Sequence, residues 1–432
     1  MAEFTHGFRI NEEACDGCLA CVRVCPTEAI RVRHEKAQVL NELCIDCGSC
    51  LTACSRGAIT ATTHTLEEFS HFAFKVAVPS PVLFGQFPRE VRPEHIAQGL
   101  LAVGFDAVWD FGVDMGLVTR AIADYVESWR GPWPVISITC PVIVRLIQVS
   151  YPRMIEQLVR LHPPREIAGR EAKRRFAQER GLAPEQIAVI YVAACQAKTV
   201  SIEQPAEGGR SYLDGSIGIP QIYNAVLAEA REAAKRGQPP SGLIPVRSAS
   251  MVSWSTPRSL ADLPKQHRYM SVTGLPNVIH VFDDIEKGKL KDVDFLECSA
   301  CWSGCANGNL TVDNVYVSQA KLQSLARDLP HTDPETEAEV ARRYPNEDFL
   351  LERPPEPRAT VVVGDLRERV RRMREAEKIA GVLPGLDCGL CGTPSCSVLA
   401  HDVAAGEAQR DDCIFLSKRR IDELRRLHRR KT

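Results

Sequence analysis

Seventeen cysteines stand in this chain of 432 residues, most of them in short clusters. The first cluster is Cys15-Asp-Gly-Cys18-Leu-Ala-Cys21-Val-Arg-Val-Cys25. It recurs 29 residues later as Cys44-Ile-Asp-Cys47-Gly-Ser-Cys50-Leu-Thr-Ala-Cys54, and Ala29-Ile30 maps onto Ala58-Ile59 at the same offset. Three thiolates on one tight loop can reach three corners of an iron–sulfur cubane, while the fourth, on the following turn, points elsewhere. A pair of zinc knuckles is the alternative, but zinc needs only four ligands per ion and rarely takes this spacing. A third cluster, Cys388-Gly-Leu-Cys391-Gly-Thr-Pro-Ser-Cys396 followed by Cys413, offers four more thiolates. Glycines beside them let backbone amides approach cluster sulfurs. One further cubane suits this arrangement, with a structural zinc as the alternative.

Such cysteine use argues for metal ligation rather than disulfides in a reducing compartment. The first residues, Met1 to Gly7, hold no basic stretch followed by an apolar run, and no apolar stretch is long enough to span a bilayer. A soluble, cytoplasmic protein is therefore expected, able to dock on a membrane complex. Apolar residues make up 44% and charged residues 25%, which fits globular domains. A net charge of -2 suggests neither nucleic acid nor an anionic membrane as partner.

The elements that must position the cysteines read as follows. Residues 1–65 form a domain of two repeats. From 73 to 330 the pattern is α/β: Lys75–Val78, Trp133–Ile138 and Ile187–Val192 read as buried strands, and Ile143–Leu161 and Tyr223–Ala234 as helices. Alternation of this kind implies mainly parallel sheets covered by helices. Residues 331–365, rich in Pro and Glu, read as a linker or extended strap. A helix at Leu366–Ile379 opens the four-cysteine module, residues 366–416. The tail, 417–432, reads as a basic amphipathic helix, either a docking element or a solvated end whose cations suit the helix dipole. Val361-Val-Val-Gly364-Asp365 lacks the remaining glycines of a dinucleotide fingerprint, so no nucleotide or flavin is expected.

The repeated motif resembles that of bacterial-type two-cluster ferredoxins, which implies a small α+β domain. In that family the fourth cysteine of each motif ligates the other cluster. By that rule one cluster takes Cys15, Cys18, Cys21 and Cys54, and the other takes Cys44, Cys47, Cys50 and Cys25. Pro26 follows the first motif as in the family, whereas Ser55 stands at the second. The C-terminal cluster resembles the small helical 4Fe-4S domain of electron-transport subunits and of some sensory hydrogenases. Asp387-Cys388-Gly389, Gly392 and Ala405-Gly406-Glu407 carry that resemblance, which implies Cys388, Cys391, Cys396 and Cys413 as ligands.

Between these modules, residues 75–312 resemble the catalytic domain of FeFe hydrogenases. The family motif T-S-C-C-P reads here Ser137-Ile-Thr139-Cys140-Pro141, P-C-x-x-K reads Ala194-Cys195-Gln-Ala-Lys198, and M-A-C-x-x-G-C-x-x-G-G-G reads Ser299-Ala300-Cys301-Trp-Ser-Gly304-Cys305-Ala-Asn-Gly308-Asn309. Glu297, Gly104-Phe-Asp106, Tyr151-Pro152 and Pro163-Pro164 add to the likeness. The resemblance implies a cubane on Cys140, Cys195, Cys301 and Cys305, with Cys305 bridging to a diiron subcluster. It implies Lys198, Pro79 and Ser80 as contacts of that diiron unit. The alternative is that these are buried structural cysteines. Four cubanes would use every cysteine but Cys298, which reads as packing or as a neighbour behind the ligands.

The departures concern chemistry. Thr139 stands where the family has the cysteine that shuttles protons, and a hydroxyl is far too weak an acid to replace a thiol, which titrates near ~8.5. Ser299 replaces the Met that packs on the diiron unit, Ala194 replaces a Pro, and the triple-glycine run becomes Gly308-Asn309-Leu310. Loss of the shuttle cysteine together with a C-terminal four-cysteine module resembles the sensory class. The expectation is a slow or sensory hydrogenase-like oxidoreductase, an enzyme if it binds the diiron unit, working with redox partners or as a subunit of an electron-transfer or signalling complex. The second reading is a non-catalytic electron-relay subunit that carries cubanes only. A cluster-assembly scaffold is a third and would predict labile cluster transfer.

Overall fold

The repeat of cysteines is also a repeat of backbone shape. The computed structural model describes residues 6–206, 209–236, 246–254, 256–257, 268–358 and 366–418. Gly17, Leu19 and Glu28 have φ of 68°, 69° and 53°, and their equivalents in the second repeat, Asp46, Gly48 and Gly57, have 53°, 75° and 65°. Left-handed residues curl each loop tightly enough for its thiols to face one point, at a steric cost that glycine escapes and Leu19 does not. Each loop runs into one short helix, Ala20–Val24 and Ser49–Ala53. Four short strands complete this lobe: β1 (Phe8–Ile10), β2 (Ile30–Arg33), β3 (Lys36–Val39) and β4 (Ile59–Ala61). β2 pairs antiparallel with β3, and β1 with β4.

The strands that follow are β5 (Phe74–Pro79), β6 (Ala107–Val108), β7 (Val135–Ile136), β8 (Ile187–Ala193), β9 (Gly215–Gly218), β10 (Tyr269–Thr273) and β11 (Phe295–Ser299). They form two sheets, β6-β5-β8-β9 and β10-β11-β7, whose pairings are parallel. Every residue of β8, Ile-Ala-Val-Ile-Tyr-Val-Ala, is buried, as expected of a central parallel strand covered on both faces. Val76, Val78, Leu83, Ile96 and Val226 pack into the same core.

Two expectations change. The helix read over Ile143–Leu161 spans Pro141–Ser150 and gives way to a 3-10 turn at Pro152–Gln157. Pro152 lacks an N–H and disfavours helical Tyr151, which the alternation of apolar residues does not reveal. The stretch read as linker holds a helix, Pro334–Arg343. Asp333 caps it by accepting from the Thr336 N–H at 2.8 Å, and buried Arg343 at its end lies 2.8 Å from Glu347 and 3.5 Å from Asp114. Beyond it the chain does lie extended: the His162 N–H donates to the Phe349 carbonyl at 2.7 Å and the Leu351 N–H to that of Arg160 at 3.1 Å.

The C-terminal module packs helix Leu366–Ala380 on helix Cys396–Ala405 around Ala376, Ile379, Leu383, Leu399 and Ala400. Its contacts join Arg358–Thr432 to Phe8–Thr60 as one unit, while Met1–Gly7 with Ala61–Pro357 forms the other. Residues 361–365 and the basic tail from 419 lie outside the described residues. No helix among the described residues is long and apolar enough to cross a membrane.

Asp114 gives the larger unit a pH dependence. It is fully buried, with the Trp109 indole N–H donating to it at 2.7 Å. Burial pushes its carboxyl up to about 7, against the pull of Arg343 and the indole. The folded chain thus holds this proton more tightly than an unfolded aspartate, which titrates near ~3.9. That contribution to stability is complete below the unfolded value and lost as pH rises to about 7. Asp114→Asn should flatten the fall in urea midpoint between about pH 4 and pH 7; an unchanged slope would assign that fall to other groups.

Candidate metal centres

In the N-terminal lobe one cavity is lined by Cys15, Cys18, Cys21 and Cys54, together with Val32, Ala37 and Ile59. The fourth thiol comes from the other repeat. Reciprocally, Cys25 lies among the thiols of the second motif, where it raises the pKa of Cys47 and Cys50, and Cys44 is coupled to the same two. Burial is the largest cause throughout. It pushes the Cys21 and Cys47 thiols up to about 11 and raises Cys44 and Cys50 as well. Thiols in such surroundings stay protonated near neutrality, and a metal that binds them must displace their protons. The Ala29 N–H donates to Cys25 Sγ at 3.2 Å, the kind of contact that sets a cluster's potential.

In the C-terminal module Cys391, Cys396 and Cys413 share one small cluster of packed residues. Cys388 precedes Gly389, whose φ of 76° turns the loop, and Asp387 Oδ1 accepts from the Cys396 N–H at 2.7 Å. The Thr393 hydroxyl lies 3.0 Å from Cys391 Sγ.

The central cysteines are assembled by parallel strands. Thr139 and Cys140 follow the C-terminal end of β7, Cys195 and Lys198 that of β8, Cys301 and Cys305 that of β11, and Ser80 that of β5. Loops at the carboxyl ends of parallel strands are where α/β folds bind ligands. Cys140 and Cys195 each stand immediately before a helix, Pro141–Ser150 and Gln196–Glu203, whose N-terminal dipole favours a thiolate. The Cys301–Cys305 turn passes through Ser303 and Gly304 at φ of 67° and 72°.

Cys140, Cys195 and Cys305 lie within one another's fields, with Cys301 at the head of the turn that carries Cys305. Burial pushes the Cys140 thiol up to about 11, helped by Cys305 and Cys195 and eased by the Ala300 amide. Lys198 Nζ is 3.7 Å from Cys305 Sγ and 3.4 Å from the Tyr191 hydroxyl. Burial works against its charge, but Cys305, Tyr191 and Cys195 together outweigh that and hold it protonated. Cys298 lies within β11 opposite Val272, 2% exposed, its thiol raised by burial and by nearby Cys140.

Backbone contact joins the second motif to the third. The Leu310 N–H donates to the Ala194 carbonyl at 2.9 Å, and Asn309 Nδ2 to Gln196 Oε1 at 3.2 Å. A Cβ on Gly308 would sit 2.1 Å from the Ala194 carbonyl oxygen. Gly308 thus permits the approach that sets Cys195 beside Cys305.

A small cavity opens beside Cys305, lined by the polar Ser80, Thr139, Arg165, Tyr191 and Lys198 and by apolar residues that include Pro81, Phe111, Met115 and Trp254. Of the four central cysteines, Cys305 alone lines it. Ser80 and Pro81 reach this cavity and Pro79, paired with Val192 inside the sheet, does not. The sequence reading missed Arg165, Tyr191, Met115 and Trp254; only Arg165, next to Pro163-Pro164, sat beside a recognised motif. The Thr139 hydroxyl is 2.9 Å from that of Ser137.

The family model of the iron only hydrogenase large subunit, C-terminal domain, matches residues 71–225 and 222–309, more than half of the chain. The chain belongs to this family. A 4Fe-4S dicluster domain matches residues 8–55, and an Fe-S cluster domain matches 383–415. This is an iron–sulfur redox protein with 4Fe-4S clusters. Iron hydrogenase 1 of Clostridium pasteurianum is 24% identical over 255 residues, 49% of this chain and 44% of that protein. The NADP-reducing hydrogenase subunit HndD of Solidesulfovibrio fructosivorans is 22% identical over 188 residues, 38% and 31% of the two chains. This chain thus spans less than half the length of either relative. A structure of [FeFe]-hydrogenase HydA1 from Chlamydomonas reinhardtii superposes at 16% identity and a TM-score of 0.47, over 69% of this chain and 96% of that one.

The contact at Gly308 is testable. Gly308→Ala should separate the two motifs, lower the iron content of the protein and destabilise the fold by about 3 kcal/mol, the upper end of the range for overpacking. Iron and sulfide assays with a denaturant titration read both; full iron content would show that the contact does not govern the site.

Proposed function

We propose that this chain is a slow or sensory FeFe hydrogenase-type protein in which Cys140, Cys195, Cys301 and Cys305 hold a fourth cubane and Cys305 also carries a diiron unit. The position of Cys305 carries this reading. Its thiol neighbours those of Cys140 and Cys195 and also faces the cavity that holds Lys198 and Thr139. A thiol that neighbours two others and also lines a separate cavity could serve both metal units. When bound, the diiron unit supplies the chemistry of proton reduction or H2 oxidation. The chain's own part is to hold and protect it. Buried Lys198 keeps a positive charge 3.7 Å from Cys305 and can donate to an anionic ligand. Phe111, Met115 and Trp254 give the cavity apolar walls. Thr139 fills the proton-shuttle position without acidity, so protons reach this site slowly.

The other twelve ligands fall into three sets: Cys15, Cys18, Cys21 and Cys54; Cys44, Cys47, Cys50 and Cys25; and Cys388, Cys391, Cys396 and Cys413. The partners are redox proteins, or subunits of a larger complex; the relative HndD is itself a subunit of an NADP-reducing hydrogenase. Among the described residues no carboxylate lines the cavity, which favours a second reading, an electron relay with cubanes only.

Infrared spectroscopy on anaerobically matured protein separates the two. Bands of metal-bound CO and cyanide are expected; their absence would leave the relay. With the unit bound, Thr139→Cys should raise H2 evolution by about 10²-fold or more, the range of a positioned acid. The crossed ligand sets make a separate prediction: Cys54→Ser should damage the cluster of the first motif, and Cys25→Ser that of the second. Electron paramagnetic resonance of the two variants should differ accordingly, and damage confined to each variant's own motif would refute the crossing.

A further inference from the structure

The repeats of the N-terminal lobe are alike in backbone but not in charge. β2 of the first repeat carries Arg31 and Arg33, whereas the equivalent positions of the second, 29 residues on, are Thr60 and Thr62. Both arginines converge on one buried carboxylate of the C-terminal module. Arg31 Nε is 2.7 Å from Asp402 Oδ2 and its Nη2 is 3.2 Å from Oδ1, while Arg33 Nη2 is 2.8 Å from Oδ2. Asp402 is 6% exposed and Arg31 8%. Buried charge of this kind is tolerated only with good geometry, and loss of one partner leaves the other stranded.

The same strand binds the ligand loop of the module through its backbone. The Val32 N–H donates to the Gly392 carbonyl at 2.9 Å, and Arg33 Nη1 donates to the Cys391 carbonyl at 3.1 Å. A Cβ on Gly392 would lie 2.0 Å from the Val32 carbonyl oxygen, so only glycine permits this approach. On the other face of the strand, Val32 lines the cavity of Cys15, Cys18, Cys21 and Cys54. One residue therefore lies between that cavity and the backbone that carries Cys391. Gly389, in the Cys388–Cys391 loop, approaches Arg23, two residues beyond Cys21.

We propose that β2 is a docking strand that pairs the C-terminal metal site with the first-motif site of the N-terminal lobe, with Asp402, Arg31, Arg33 and Gly392 as positioning residues. The two sites then belong to one relay, and the C-terminal site is not an independent outlet of the chain. An electron exchanged across the contact leaves one site and arrives at the other; no bond forms and no proton moves. This inference rests on the ligand sets proposed above.

The test uses the full chain, reduced by dithionite and studied by electron paramagnetic resonance. In the unaltered protein the C-terminal signal should be broadened and relax fast, as expected for coupled neighbours. Gly392→Ala, and the milder Arg33→Gln and Asp402→Asn, should return it to the narrow, slowly relaxing signal of an isolated cubane while iron and sulfide stay at their full amounts. An isolated C-terminal signal in the unaltered protein would overturn the inference without reference to any variant, as would coupling that survives all three substitutions. Cys391→Ser serves as the control on the ligand reading. It should remove one cubane's worth of iron; full iron content there would instead reject the proposed C-terminal ligand set.

Discussion

A cube of iron and sulfide takes thiolates from four corners, and a continuous chain can bring three of them from one turn only by bending where most residues resist. The two N-terminal loops meet this demand with paired left-handed residues, Gly17 and Leu19 in one and Asp46 and Gly48 in the other. The fourth corner must be reached from elsewhere. Cys54 lines the first-motif cavity, and Cys25 lies with the second motif, so each repeat brings one thiol to the other's group. A single repeat would have too little apolar surface to fold alone.

The central domain meets the same demand by sheet geometry. Parallel strands point their carboxyl ends one way, so β7, β8 and β11 deliver Cys140, Cys195 and the Cys301–Cys305 turn to neighbouring positions from distant parts of the chain. The final approach is a matter of backbone volume. Gly308 lets the third motif lie on the Ala194 carbonyl, a role that survives although the run of glycines around it does not. Lys198, the third residue of the helix after Cys195, then projects to Cys305 with its charge held by the groups around it.

Local chemistry made much of this legible. Cysteine spacing announced the terminal modules, and the long apolar runs of β5 and β8 announced parallel strands. Proline and capping residues decide what apolar spacing does not: Pro152 ends its helix, and Asp333-Pro334 starts one inside a stretch whose Glu and Pro content reads as linker. The cavity walls Tyr191, Met115 and Trp254 lie in unrelated elements and carry no shared pattern, so only folding brings them together. The salt bridges to Asp402 were unreadable for the same reason, since Arg31 and Asp402 look like ordinary surface charges until β2 and helix Cys396–Ala405 meet.

The strand-end origin of the central cysteines also orders the protein's own assembly. The Cys15–Cys54 lobe closes over a short span and is complete early in synthesis, whereas the pocket between Cys140 and Cys305 exists only after β11, late in the domain, has been added beside β7. Contacts so far apart in sequence form slowly, because the entropy of closing the intervening chain must be overcome first. The nascent chain thus presents its N-terminal thiols before the inner pocket exists, and the C-terminal module, made last, follows both.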